Sequence, residues 1–245
     1  MVEGRSATAL ADWLAAQPAD FAAGVQGVAI YGFAGYTTAA TAVVPDAVTV
    51  MHPFHVVALA GAKLDLIRQR IQQQTLGGRG HTGDPLYGIR RIARTRLQLL
   101  STRQYARLTE VLDGDEHLAV NIAYVIYQKI IAAYADANRR RGKKALTRLI
   151  ESIRRGVPAG LEEIAQLGRT LWRRRDDILA FFDHHASNGP TEAINGRLEA
   201  LRRNALGFRT SPTTAGAHCS TAAHCIHSSM HSELRRARKP RDNRC

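Results

Sequence analysis

Two short β-branched runs near the N-terminus, with nothing similar after them, constrain this chain most. Val25–Tyr31 and Ala47–His52 are brief, apolar and bounded by Gly or Pro, as buried strands are. Between them, Gly35–Val44 is rich in Ala and Thr and long enough for a crossover helix. Strand, helix, strand implies a parallel pair. Two strands alone cannot bury both faces of a sheet, so more sheet is expected elsewhere or has been lost.

From His55 the period becomes helical. His55–Gln74 carries Val56, Leu59, Ala60, Leu64, Ile67 and Ile71 at spacings of three and four. Gly77–Pro85 is too rich in Gly for regular structure. Further helices are expected near Leu86–Leu99, Thr102–Leu112, Glu116–Tyr134, Lys143–Arg155, Pro158–Leu167, Thr170–Phe182 and Thr191–Leu206. Breaks are expected at Ser101, Gly114, Gly142 and Gly156–Pro158. Ahead of the first strand, Leu10, Trp13 and Leu14 share one face of a helix that Pro18 ends. Beyond Thr210 the periodicity vanishes. Ser211–Ser232 is Ser, Thr, Ala, His and Cys, and Arg235–Arg244 is a basic run, so the tail is expected to be unpacked.

Thirty-four Lys and Arg against 21 acids leave a formal charge of +13 over 245 residues. That imbalance points to a polyanion as partner, most often nucleic acid. The apolar stretches fall short of the ~20 residues a membrane span needs. Met1–Arg5 has no apolar run behind it, so no secretory signal is expected and the chain reads as cytoplasmic. Arg139, Arg140, Arg141, Lys143 and Lys144, and further on Arg173–Arg175, are candidate phosphate contacts, with a solvated helix end as the plainer reading.

The loudest chemical pattern is the tail's His218, Cys219, His224, Cys225, His227 and His231. Thiolates and imidazoles suit zinc, but this spacing fits no standard finger, and a compositional accident is the better reading. His52 and His55 flank a strand-to-helix junction, where their side chains need not converge; a locally satisfied histidine is expected rather than a metal pair. No Walker loop, nucleophile elbow or dinucleotide fingerprint is present. Ser187–Arg197 (Ser-Asn-Gly-Pro-Thr-Glu-Ala-Ile-Asn-Gly-Arg) places Glu192 in the first turn of a helix, favourable for the dipole on its own account.

Together with Met1–Ser6, Gly32–Tyr36, Pro53–Val57, Gly83–Tyr87 and Ala205–Arg209, that last segment closely resembles the ISL3 family of insertion-sequence transposases, over about residues 1–209. The resemblance implies an RNase H-like core with a large helical insertion before the final acid. It also implies DNA transposition by a DDE mechanism, in which carboxylates hold two Mg²⁺ ions that activate water and then a DNA 3′-hydroxyl. On that basis residues 1–60 are expected to be a partial RNase H-like sheet region and 61–186 the helical insertion. Residues 187–209 would bring the last acid back beside the strand ends, and 210–245 would be a disordered tail. The fold class expected is a predominantly α-helical α/β remnant with a short parallel strand pair.

Carried over position by position, the acidic set is incomplete. Glu192 matches the family's last acid. Where the family has Asp, this chain has Tyr31 and His52. Neither phenol nor imidazole is a good ligand for a hard cation, so Mg²⁺ belongs to intact members and no metal is expected to bind here. The family's N-terminal zinc module, helix-turn-helix and first acidic strand should precede Met1. Thr210–Thr214 can be encoded ACC TCA CCA ACT ACC, which from its third base reads Leu-Thr-Asn-Tyr, close to the family's continuation; a frameshift near Thr210 would explain the His/Cys tail. The expectation is therefore a truncated transposase fragment without catalytic activity. Its partners are DNA at insertion-sequence ends, through residues such as Arg197 and the 139–144 run, and an intact transposase or a second copy. The alternative functions are a DNA-binding or oligomerising remnant that modulates an intact transposase, or a zinc-binding tail protein.

Overall fold

The computed structural model describes residues 6–30, 34–78 and 80–184, together with Ala193, Gly196, Arg197 and Ala200. The chain divides into two compact units, residues 4–187 and residues 1–3 with 188–245. In the second unit the four described positions are helical and exposed. The other described residues lie in the first.

That unit opens with α1 (Ala7–Ala15), capped by the Ser6 hydroxyl accepting from the Ala9 N–H at 3.0 Å. A helix absent from the sequence expectation, α2 (Ala19–Gly24), follows Pro18 directly. Proline favours the start of a helix as well as stopping one, and the Phe21 N–H returns to the Pro18 carbonyl at 2.9 Å. Then come β1 (Gly27–Ile30), α3 (Ala34–Val43) and β2 (Val48–Met51). The strands pair in parallel, Gly27 opposite Val48 through Ile30 opposite Met51, so both end at the same edge. The expected strand–helix–strand unit is present, each strand shorter than its apolar run.

The remainder is helical and contains the main core. α4 (Pro53–Leu76) starts with Pro53 in its first turn and ends at Gly77, whose φ of 67° supplies the left-handed C-cap. Its buried stripe of Val56, Ala60, Leu64, Ile67 and Ile71 packs on α7 (Leu118–Ala135) and α9 (Glu162–Arg173). α8 (Arg139–Arg155) lies against α7 and α9. α10 (Arg175–His184) rests on α8 and on β2. The bolt between bundle and sheet is Asp177 on α10. One of its oxygens accepts from the Thr49 hydroxyl, the other from Arg174 Nη1 at 3.2 Å, and Arg174 also donates to Thr37 on α3 at 3.0 Å.

Several helix expectations are corrected, each for a tertiary reason. Leu86–Leu99 is not one helix. After α5 (Pro85–Gly88) it continues as 3-10 turns at Ile92–Arg94 and Leu97–Leu99, before α6 (Thr102–Leu112). Side chains of α7 take this segment's backbone groups: Tyr127 Oη donates to the Arg94 carbonyl, and Gln128 bridges the Thr95 carbonyl and the Leu97 N–H, at 2.9–3.0 Å. Gly142 is no break. α8 begins four residues ahead of Lys143, capped by Asn138, and Gly142 is buried within it. A Cβ there would sit 2.3 Å from the Ala133 carbonyl oxygen, so glycine allows α7 and α8 this close. α9 starts at Glu162 rather than Pro158 and runs on to Arg173; Gly168 inside it lies against Ile153.

Residues Asp115–Ala135 are long and apolar enough to cross a membrane, with a mean hydropathy of 1.4, contrary to the expectation that every apolar stretch falls short. Packing accounts for part of this composition, and Leu118 and Val125 of α7 are exposed. Val120, Ala123, Tyr127, Ile130 and Ala133 of α7 are buried in the bundle, where α4 and α8 flank the helix.

Candidate nucleic-acid interface

α8 carries the basic run singled out in the sequence. Arg139, Arg140 and Arg141 occupy its first turn, with no acid among them, although the positive end of a helix dipole disfavours cations. Arg141 is compensated inside the protein. Its Nε and Nη2 grip both oxygens of Asp136 at 2.5 and 2.9 Å, which holds the Asp136 carboxyl below, and the guanidinium above, their usual ranges. Lys143 reaches Asp183 at 2.5 Å. Arg139, Arg140 and Lys144 are exposed and have no acidic partner among the described residues. Of the five cations, two are thus internally paired and three face outward.

Sequence reading missed the feature that gives these charges a shape. A groove of about 460 Å³ runs between α7 and α8, with Lys129 and Asp136 on one wall, Arg148 and Ser152 on the other, and small Ala132 and Ala145 between them. Lys129 and Arg148 are both exposed and without an acidic partner among the described residues. Two cations across a shallow floor of small side chains can clamp a phosphate, and Ser152 adds a hydroxyl donor. Lys144 and Arg148, four residues apart, share a face of α8, so groove and helix start form one basic surface. The i, i+4 spacing was visible in the sequence. Lys129, nineteen residues away on another helix, was not.

At the far end of α8, Trp172 holds two more arginines. Arg154 Cζ lies 3.6 Å and Arg175 Cζ 4.2 Å from its ring centroid. Cation–π contacts fix both guanidinium groups, and Arg175 Nε also pairs with Asp176 at 3.3 Å. Arg173–Arg175, the second expected basic cluster, is divided by this arrangement, since Arg174 turns inward to Asp177 and Thr37.

The positions expected to match the family's acids are less fully described. Tyr31 and Glu192 lie outside the described residues, as does the His/Cys tail. Arg197 is helical and exposed. His52 directly follows β2 and is the N-cap of α4, its Nδ1 accepting from the Phe54 N–H at 3.3 Å. That bond engages the ring nitrogen through its lone pair and leaves Nε2 as the donor. The ring meets His55 edge-on, with centroids 6.4 Å apart. Among the described residues no three His, Cys, Asp or Glu side chains converge on a possible metal position. Asp177, the carboxylate bonded to β2, has both oxygens committed. An imidazole used as a helix cap does not fit a site for two Mg²⁺, which calls for anionic oxygen ligands.

Comparison with known proteins adds the following. The family model for ISL3 transposases of the DDE class, described as "Transposase", matches residues 1–213. The transposase for insertion sequence element IS1557 from two Mycobacterium tuberculosis strains, CDC 1551 / Oshkosh and H37Rv, is 32% identical over 187 residues, covering 68% of this chain. The matched region spans 40% of those relatives' length. No solved structure matches.

Proposed function

The chain belongs to the ISL3 family of transposases, and from that premise we propose that it is a DNA-binding part of such an enzyme that does not itself perform strand transfer. The observation that carries the binding half is the α7–α8 groove, with Lys129 and Arg148 facing each other and the outward Arg139, Arg140 and Lys144 beside it. Its ligand is the sugar–phosphate backbone at an insertion-sequence end. Lys and Arg contacts to phosphate supply affinity and register without reading sequence.

The inactive half rests on residue chemistry. Glu192 is the acid that matches the family, while Tyr31 and His52 stand at its aspartate positions. A single carboxylate cannot hold the two Mg²⁺ ions that such chemistry needs. The family match ends at residue 213, so the His/Cys part of the tail lies beyond it. A polypeptide that binds ends without cutting them would compete with an intact transposase, and modulation of that enzyme is the cellular role this reading implies.

The test combines binding and chemistry on a duplex end of the parent element. The parent chain should bind with strong salt dependence, and Lys129→Glu with Arg148→Glu should reduce the slope of log K against log salt by about two. An unchanged slope refutes the groove as the interface. In Mg²⁺ or Mn²⁺ neither the parent nor Glu192→Ala should cleave or join strands. Cleavage that depends on Glu192 refutes inactivity.

A further inference from the structure

α7 is apolar nearly all round, a composition that suits a helix packed on every side. One strip of it is nevertheless open to solvent. Leu118 and Val125 are 58% and 41% exposed, with Ile122 half-buried between them. Lys129 and Ala132 continue the line toward the C-terminus and are exposed as well. The spacing along this strip runs four, three, four, three, the repeat by which one helix lies along another in a coiled coil. Beside the strip, Gln128 holds the 3-10 turn that carries Leu97 and Leu99, both exposed, so apolar surface extends past the helix itself.

Charge is arranged to match. Asp113, Asp115 and Glu116 are exposed just ahead of α7. In a chain with a formal charge of +13, no Lys or Arg pairs with them among the described residues. Their place at the start of the helix suits its dipole. The 3-10 turn over Asp115–His117 sets Asp115 in line with Leu118, because side chains three apart eclipse in that geometry. Asp115 and Lys129 each lie seven residues from Ile122, on opposite sides of it. Leu118 and Val125 lie four and three residues from it, also on opposite sides.

A face with that symmetry about one residue complements itself when a second copy is turned end to end. In a two-fold pair the same patch meets itself and every contact is made twice. Antiparallel α7 helices crossing at Ile122 place Leu118 of each copy on Val125 of the other, and Asp115 of each beside Lys129 of the other. A parallel arrangement would set lysine against lysine and acid against acid. We propose that the chain associates with itself through this face of α7, as an antiparallel two-fold dimer. Lys129 also lines the α7–α8 groove and cannot serve a phosphate and Asp115 together. The dimer is therefore the DNA-free form, a point that rests on the DNA-binding reading above, whereas the interface itself does not.

Sedimentation equilibrium of the full chain without DNA, at up to about 100 μM, should give a mass of twice 26.9 kDa. Leu118→Glu with Val125→Glu should raise the dissociation constant about a hundredfold. It should leave the melting temperature unchanged, since both side chains are exposed. Lys129→Glu alone and Asp115→Lys alone should each weaken the dimer about tenfold, and the two together should restore it to within about threefold of the parent. Adding a duplex end should convert dimer to monomer. A monomeric parent chain, or a dimer indifferent to Leu118→Glu with Val125→Glu, overturns the proposal. Failure of the charge exchange to restore association overturns the antiparallel register. A duplex that binds without splitting the dimer overturns the competition. A dimer that binds no duplex refutes the DNA-binding reading and upholds the interface.

Discussion

Replacing Gly142 by alanine sets two physical effects against each other. In an isolated helix the change favours alanine by about 1 kcal/mol. In this protein Gly142 is buried in α8, and the added Cβ would lie 2.3 Å from the Ala133 carbonyl oxygen of α7 and 3.0 Å from the Phe182 ring of α10. The nearer atom is backbone, so no rotamer change relieves it. The helices must part by about an ångström before the contact becomes ordinary, near ~3.5 Å. Leu146, Ile150 and Ile153 of α8, all in the common core, then lose packing. Overpacking of this kind costs about 1–3 kcal/mol, and a rigid backbone clash belongs at or beyond the upper end. The net expectation is destabilisation of about 2 kcal/mol, a fall in melting temperature of about 4–8 °C for a unit of this size. Thermal unfolding followed by circular dichroism measures it. Gly24→Ala is the control, because a Cβ there meets nothing within 4 Å, and it should leave the melting temperature unchanged or slightly higher. A Gly142→Ala protein as stable as the parent would refute the close approach of α7 and α8.

Two further outcomes follow from buried polar groups. Arg70 holds Glu163 in a two-pronged contact at 2.8 and 3.0 Å, tying α4 to α9, and that hydrogen-bonded guanidinium keeps the Glu163 carboxyl below its usual range. A depressed folded-state pKa means stability that is present at neutral pH and lost as acid takes the group from about pH 4.5 down through its folded value. Glu163→Gln should therefore be less stable by about 1 kcal/mol at pH 7 and converge on the parent at low pH, read from urea midpoints across pH 3–7. Tyr134 stacks on Phe182 with centroids 5.3 Å apart, but its hydroxyl is buried with no hydrogen-bond partner among the described residues, and burial pushes its pKa far up. Tyr134→Phe should raise stability by up to about 1 kcal/mol. A raised folded-state pKa is stability lost as pH climbs above about 10, so the parent should weaken in alkali more than the variant; equal alkaline profiles would refute burial of the hydroxyl.

The site was legible in proportion to how local its parts are. The 139–144 basic run announces itself along the chain, yet Asp136 and Asp183 neutralise Arg141 and Lys143. Asp183 is forty residues from its lysine, so which cations stay free could not be read in advance. The facing cations Lys129 and Arg148 sit on two helices and become a groove only when those helices pack. The burial of Arg68 was hidden for the opposite reason: in the sequence Arg68, Gln69, Gln72 and Gln73 pass for the polar side of an amphipathic helix, yet Arg68 and Gln72 are buried, the Gln72 amide against Gly80.

Period and composition by themselves determined the order of the architecture. Short β-branched runs bounded by Gly and Pro became β1 and β2, and the stripe from Val56 to Ile71 became the core face of α4. These are local effects, since the side chains that favour a strand or one helix face act within a few residues. Tertiary structure decided the rest. It denied Leu86–Leu99 a continuous helix, because side chains of α7 offered its backbone better partners. It carried α8 through Gly142, because the missing Cβ was worth more as close contact with α7 than the residue's helix-breaking tendency cost. Local propensity amounts to about a kilocalorie per residue, and wherever packing or a buried hydrogen bond exceeds that, the final structure departs from the pattern along the chain.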